Sequence, residues 1–158
     1  TPSPASTPPT TMHAVVRHQY GSPSDLAVET IGVPVPASGE VLVQVRAASL
    51  DRGAWHFTTG LPYIARLAFG LRRPKEPGIG WDLAGVGARL GDGVTDFVVG
   101  DEVYGTGRCT FAEYAISTPK NLARRPDASF EVAAAVPVSI TASLERACPP
   151  MFVNAPAT

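Results

Sequence analysis

Cysteine is nearly absent: 158 residues hold only Cys109 and Cys148. Neither lies in a CxxC pair, so a disulfide framework is excluded and a reducing, cytoplasmic setting is expected. Charge is scarce too. Charged side chains are 17% of the chain and the formal net charge is −1, leaving no electrostatic reason to expect nucleic acid or an anionic membrane as partner. No run approaches the ~18 apolar residues of a membrane-crossing helix. There is no Walker loop, no GxSxG elbow and no HExxH. The three histidines, His13, His18 and His56, do not stand at spacings that converge on zinc with either cysteine. Their ordinary reading is surface or packing.

Proline (16) and glycine (15) are plentiful. Proline removes backbone donors and blocks helix interiors, so long helices are excluded through most of the chain. Residues 1–11, TPSPASTPPTT, lack the basic and apolar regions of a signal peptide. They bury too little apolar surface to order themselves, so a disordered leader is expected, with the fold starting at Met12. From there short Val/Ile/Leu-rich runs between turn residues predict strands at His13–Arg17, Leu26–Ile31 and Glu40–Ala48. The third alternates Val41, Val43, Val45 with Leu42, Gln44, Arg46, predicting one half-polar face. Asp51–Thr59 and Tyr63–Leu71 are short helix candidates. Further strands are predicted at Asp82–Leu90, Glu102–Tyr104, Phe111–Ile116 and Asn121–Arg124, and a helix at Phe130–Val136 opened by Ser129. Many short strands with Gly/Pro turns and helices late in the chain predict a mainly β fold, an irregular, partly open β-barrel.

The glycines of Gly85-Val86-Gly87-Ala88-Arg89-Leu90-Gly91 do not form a phosphate cradle. The spacing is GxGxxxG, and turn residues follow it where a helix N-terminus would be needed. A bulge or bend inside a strand is expected.

Four segments, in this order, are more specific: GEVLVQVRAASLDRGAWHFTTG (Gly39–Gly60), PGIGWDLAGVG (Pro77–Gly87), GDGVTDFVVGDEVYG (Gly91–Gly105) and TFAEYAI…NLARRPDASFEVAAAVPVSITA (Thr110–Ala142). Together they resemble the N-terminal, GroES-like domain of medium-chain dehydrogenase/reductases of the zinc-independent, quinone-oxidoreductase-like branch. The resemblance covers residues 12–142 and lapses over 143–158, a divergent tail. It implies a GroES-like barrel. The family's Rossmann domain, which binds NADP or NAD, is absent from the sequence.

The departures from zinc-dependent alcohol dehydrogenases are informative. In those enzymes a cysteine ligand follows the third strand, where Asp51 stands here. Their second ligand is the His of a Gly-His-Glu motif, where this chain has Gly80-Trp81-Asp82. Neither their catalytic nor their structural zinc is expected. Without a Lewis acid, a carbonyl must be polarised by hydrogen-bond donors. The resemblance assigns the catalytic cleft to Asp51, Arg52, His56 and Tyr63: Arg52 to steady an oxyanion, His56 or Tyr63 to donate a proton. Trp55, Trp81 and Asp82 would line the cleft, and Thr141 would contact the nicotinamide. The plainer alternatives stand beside these: Asp51 as a helix cap, Trp55 as barrel packing, Thr141 as a helix residue.

Two functions follow. One is the substrate-side domain of an NAD(P)H-dependent reductase of quinones, enones or other small carbonyl compounds, inactive without its cofactor domain and binding no cofactor alone. The other is a non-catalytic GroES-like binding or interaction module. Apolar surface over Val132–Val138 and at the two tryptophans predicts self-association into a homo-oligomer or binding of apolar ligands.

Overall fold

The computed structural model describes residues 7–18, 23–50 and 78–137. Strands β1 (Thr11–Val16) and β2 (Ala27–Gly32) form an antiparallel pair. Five more strands, β3 (Val41–Ala48), β4 (Asp82–Leu90), β5 (Glu102–Thr106), β6 (Tyr114–Ser117) and β7 (Leu122–Arg124), build an antiparallel sheet in the order β6-β3-β4-β5-β7. One short helix, α1 (Phe130–Ala134), follows. The expected strands are all present, Asp82–Leu90 with both ends as expected and the others with ends shifted by at most three residues.

The segment Phe111–Glu113, expected to open a strand, instead joins the two sheets. Its carbonyls accept from both sides: Phe111 O from Val15 N at 2.8 Å, and Glu113 O from Val45 N at 2.9 Å. Glu113 N donates to His13 O at 3.1 Å. Only Tyr114 onward pairs with β3 as a regular strand. A linker bonded to both β1 and β3 is what curls two open sheets into a partial barrel, since it satisfies strand edges that would otherwise be left bare.

This closure explains a second difference. β3 was expected to carry a half-polar face, yet Val41, Leu42 and Val43 are all buried. Val41 and Val43 join Leu83, Val103, Ala115 and Leu122 in the principal core. Leu42 points the other way, into a second cluster with Met12, Tyr114 and Ile116. Because β1 covers that face, alternation is lost in the first half of β3 and survives only from Gln44 onward.

The amino-terminal leader was expected to end before Met12, but Thr11 pairs with Gly32 and the Thr10 carbonyl accepts from Val33 N at 3.1 Å. The ladder therefore begins inside the Pro/Thr-rich stretch. At the other end, Ser129 caps α1 as expected, its Oγ accepting from Val132 N at 3.3 Å. The helix stops at Ala134, earlier than Val136, because Pro137 offers no amide to extend it. Ala133 and Ala134 pack on Ala84 of β4, while Val132 is 57% exposed. No helix among the described residues is long and apolar enough to cross a membrane.

Candidate functional site

The glycines at 85 and 87 sit inside β4, paired with β3 on one side and near β5 on the other. A Cβ on Gly85 would fall within the van der Waals radius of the Gln44 carbonyl oxygen, beside a register shift between Val45 and Ala47. Glycine here lets two backbones approach at a bulge. Gly87 N donates to Asp101 O at 2.9 Å, so this amide is already engaged. The strand is followed by a turn, not a helix. These residues do not fit a dinucleotide pyrophosphate.

The segment Ile79–Asp82 is held along its whole length. Three successive carbonyls accept from a facing loop: Ile79 O from Phe111 N at 3.1 Å, Gly80 O from Thr110 N at 3.3 Å, and Trp81 O from Gly107 N at 2.7 Å. Gly80 has φ +90, and a Cβ there would meet Thr110 Oγ1 at 2.5 Å and the Phe111 ring at 2.9 Å. Positive φ and a tight neighbour both demand glycine. Thr110 is completely buried and its hydroxyl has no hydrogen-bond partner. The turn at Gly80 thus fixes the direction in which the next two side chains leave the backbone.

Those two side chains have opposite surroundings. Trp81 is 37% exposed, while Asp82 is 2% exposed and its Oδ2 accepts from Ser49 Oγ at 2.9 Å. Ser49 follows the last residue of β3. The sequence assigns both Trp81 and Asp82 to one cleft; the structure gives them different environments. Ser49 and Thr110 went unnoticed in the sequence. Only the strand register brings Ser49 opposite Asp82, and nothing in a single chain signals it.

The remaining candidates from the sequence, Asp51, Arg52, Trp55, His56, Tyr63 and Thr141, lie outside the described residues. Of the histidines, His13 Nδ1 lies 3.5 Å from Glu113 and His18 Nε2 lies 2.9 Å from Glu29, both as exposed surface pairs. Cys109 is half-buried, with φ 57. Among the described residues, no three His, Cys, Asp or Glu side chains are grouped to hold a metal ion. A shallow groove of about 380 Å³ opens beside the second half of β3, with Val15, Val45 and Ala47 on its walls and His13, Arg46 and Glu113 among its polar residues.

A partial barrel whose β4 opens on a rigid Gly-Trp-Asp segment defines a class. Residues 37–130 match the alcohol dehydrogenase GroES-like domain, and the chain belongs to that family. Within it, the chain belongs to the medium-chain dehydrogenase/reductases of the quinone-oxidoreductase-like branch. It is 32% identical over 142 residues to the chloroplast envelope quinone oxidoreductase homolog of Arabidopsis thaliana, covering 85% of this chain and 41% of that protein. It is also 32% identical over 142 residues to a trans-enoyl reductase of a Penicillium species, covering 84% of this chain and 37% of that one. The solved quinone oxidoreductase of Coxiella burnetii superposes with a TM-score of 0.76 at 26% identity, over 87% of this chain and 45% of that one. The chain therefore spans about two-fifths of the length of these relatives.

Proposed function

We propose that this chain supplies the substrate-side half of an NAD(P)H-dependent, zinc-independent reductase of quinones or enones. The observation that carries the reading is the segment Gly80-Trp81-Asp82. By the family resemblance it stands where zinc-dependent enzymes hold a ligand histidine, and its backbone is bonded to the facing loop with a partly exposed indole at its head. An indole cannot ligate zinc, but it offers a flat apolar face on which a quinone or enone can stack. The similarity to a quinone oxidoreductase homolog and to a trans-enoyl reductase supports the same substrate class.

In this reading the carbonyl is polarised by hydrogen-bond donors, not by a metal. Arg52 steadies the oxyanion, and His56 or Tyr63 delivers the proton. The resemblance gives Asp51 and Trp55 to the same cleft and Thr141 to a nicotinamide contact. The nicotinamide, when bound, supplies the hydride, and its dinucleotide is held outside the described residues. The setting is cytoplasmic and the chain alone does not turn over substrate.

The test is a titration with duroquinone, whose fully substituted ring cannot add the thiols of Cys109 or Cys148, followed by tryptophan quenching. Saturable quenching, lost in Trp81→Ala, is expected, together with zinc far below one per chain by metal analysis. Linear, collisional quenching identical in Trp81→Ala, or one tightly held zinc per chain, refutes the proposal.

A further inference from the structure

Past the register shift between Val45 and Ala47, the β3–β4 ladder continues with Ala47↔Ala84 and ends at Ala48↔Leu83. The next pair in that register is Ser49 opposite Asp82. Here the backbones no longer pair, and the side chains bond instead, hydroxyl to carboxylate at 2.9 Å. A buried carboxyl oxygen is costly to leave without a donor, and the Ser49 hydroxyl supplies one. The bond is placed where the two strands part.

Both ends of this bond lead directly to the candidate cleft. Asp82 is the covalent neighbour of Trp81, whose carbonyl is tied to Gly107 on the other side. Ser49 precedes Leu50, which is 78% exposed, and in sequence stands two residues before Asp51. The side-chain bond extends the link between the two strands one position past the last backbone pair.

We infer that Ser49 and Asp82 form a clamp that sets the position of Trp81 relative to the end of β3. Asp82 is thus a positioning residue and not a substrate contact. The inference rests on the proposed function for its consequence, though not for its geometry. A displacement of even an ångström in a positioning element costs a measurable factor in binding or rate.

The test compares Ser49→Ala, which removes only the hydroxyl, with Ser49→Thr, which retains it. Two readouts are needed: amide exchange of Gly107, whose N–H donates to Trp81 O, and duroquinone affinity. The clamp predicts Gly107 exchange faster by about tenfold in Ser49→Ala, affinity weaker by about tenfold, and both restored in Ser49→Thr. Since a purely structural hydroxyl would lower stability without changing the affinity of the folded protein, melting curves are recorded alongside. Unchanged Gly107 exchange in Ser49→Ala overturns the clamp, whatever the quinone does. Faster exchange with unchanged affinity overturns its positioning role. If the wild type binds no quinone, the proposed function falls, and the exchange result alone upholds or overturns the clamp.

Discussion

Replacing Gly80 by alanine puts a methyl group into the most constrained turn near the candidate site. Two costs add. At φ +90 an L-residue is strained by about 1–2 kcal/mol relative to glycine. The new Cβ would lie 2.5 Å from Thr110 Oγ1 and 2.9 Å from Phe111 Cδ1. Thr110 is fully buried, so it cannot swing aside into solvent, and overpacking of this kind costs about 1–3 kcal/mol. Against these, alanine narrows the unfolded ensemble and returns about 0.4–1 kcal/mol. The net expectation is a loss of about 1–5 kcal/mol, centred near about 3 kcal/mol. At the centre of that range, and at roughly 2–4 °C per kcal/mol for a domain of this size, Gly80→Ala should lower the Tm by about 6–12 °C in a calorimetric or circular-dichroism melt. The double variant Gly80→Ala/Thr110→Ala isolates the clash with the hydroxyl, because it relieves that contact and leaves the backbone strain and the Phe111 contact. If Gly80→Ala melts within about 1 °C of wild type, the conformation and packing assigned to this turn are wrong.

Three further outcomes are expected. Thr110→Val removes a buried hydroxyl that has no partner while keeping its shape, so urea unfolding should show stability unchanged or raised by up to about 1 kcal/mol; a loss above that would reveal a partner for the hydroxyl. Ser129→Ala deletes the cap on α1 and should cost about 1 kcal/mol in the same assay, with no loss if the helix does not depend on its cap. Asp101 is held below the usual carboxylate range by the Val98 amide, with burial opposing and Arg124 adding to the shift. Its folded pKa lies under its unfolded one, so it stabilises above about pH 4 and that contribution is lost as pH falls through the folded value. Asp101→Asn should therefore be less stable than wild type near neutrality and converge with it in acid; a gap that persists at low pH would refute the assignment.

Much of the barrel was legible because its strands carry their own punctuation. Val41–Ala48 and Asp82–Leu90 are bounded by turn residues, and the GxG spacing without a following helix correctly reads as a strand irregularity. What failed was any inference that depends on a second layer. Leu42 occupies a position that alternation assigns to a half-polar face, yet Met12, Tyr114 and Ile116 cover it. Phe111–Glu113 looks like strand, and its backbone bonds instead bridge two sheets. Local pattern records the period of a strand, but not which of its faces a distant segment will cover. For the same reason Ser49 carries no signal: its partner is 33 residues away and emerges only from register.

In the proposed reading, the pair Trp81 and Asp82 shows how a departure from the zinc-binding motif can be structurally coherent. Adjacent residues at the start of a strand point to opposite sides, so a single change of ligand to indole leaves the neighbouring carboxylate facing inward. An inward carboxylate is costly to bury unless something donates to it, and the Ser49 hydroxyl does so at 2.9 Å. The indole can then remain partly in water without loosening the chain beneath it, because three carbonyls from Ile79 to Trp81 are bonded to the facing loop. This stretch of backbone is held through its own hydrogen bonds and one part-buried side-chain pair. Substrate recognition by an apolar face requires such rigidity, since a stacked ring has few directional contacts of its own to draw the protein into place.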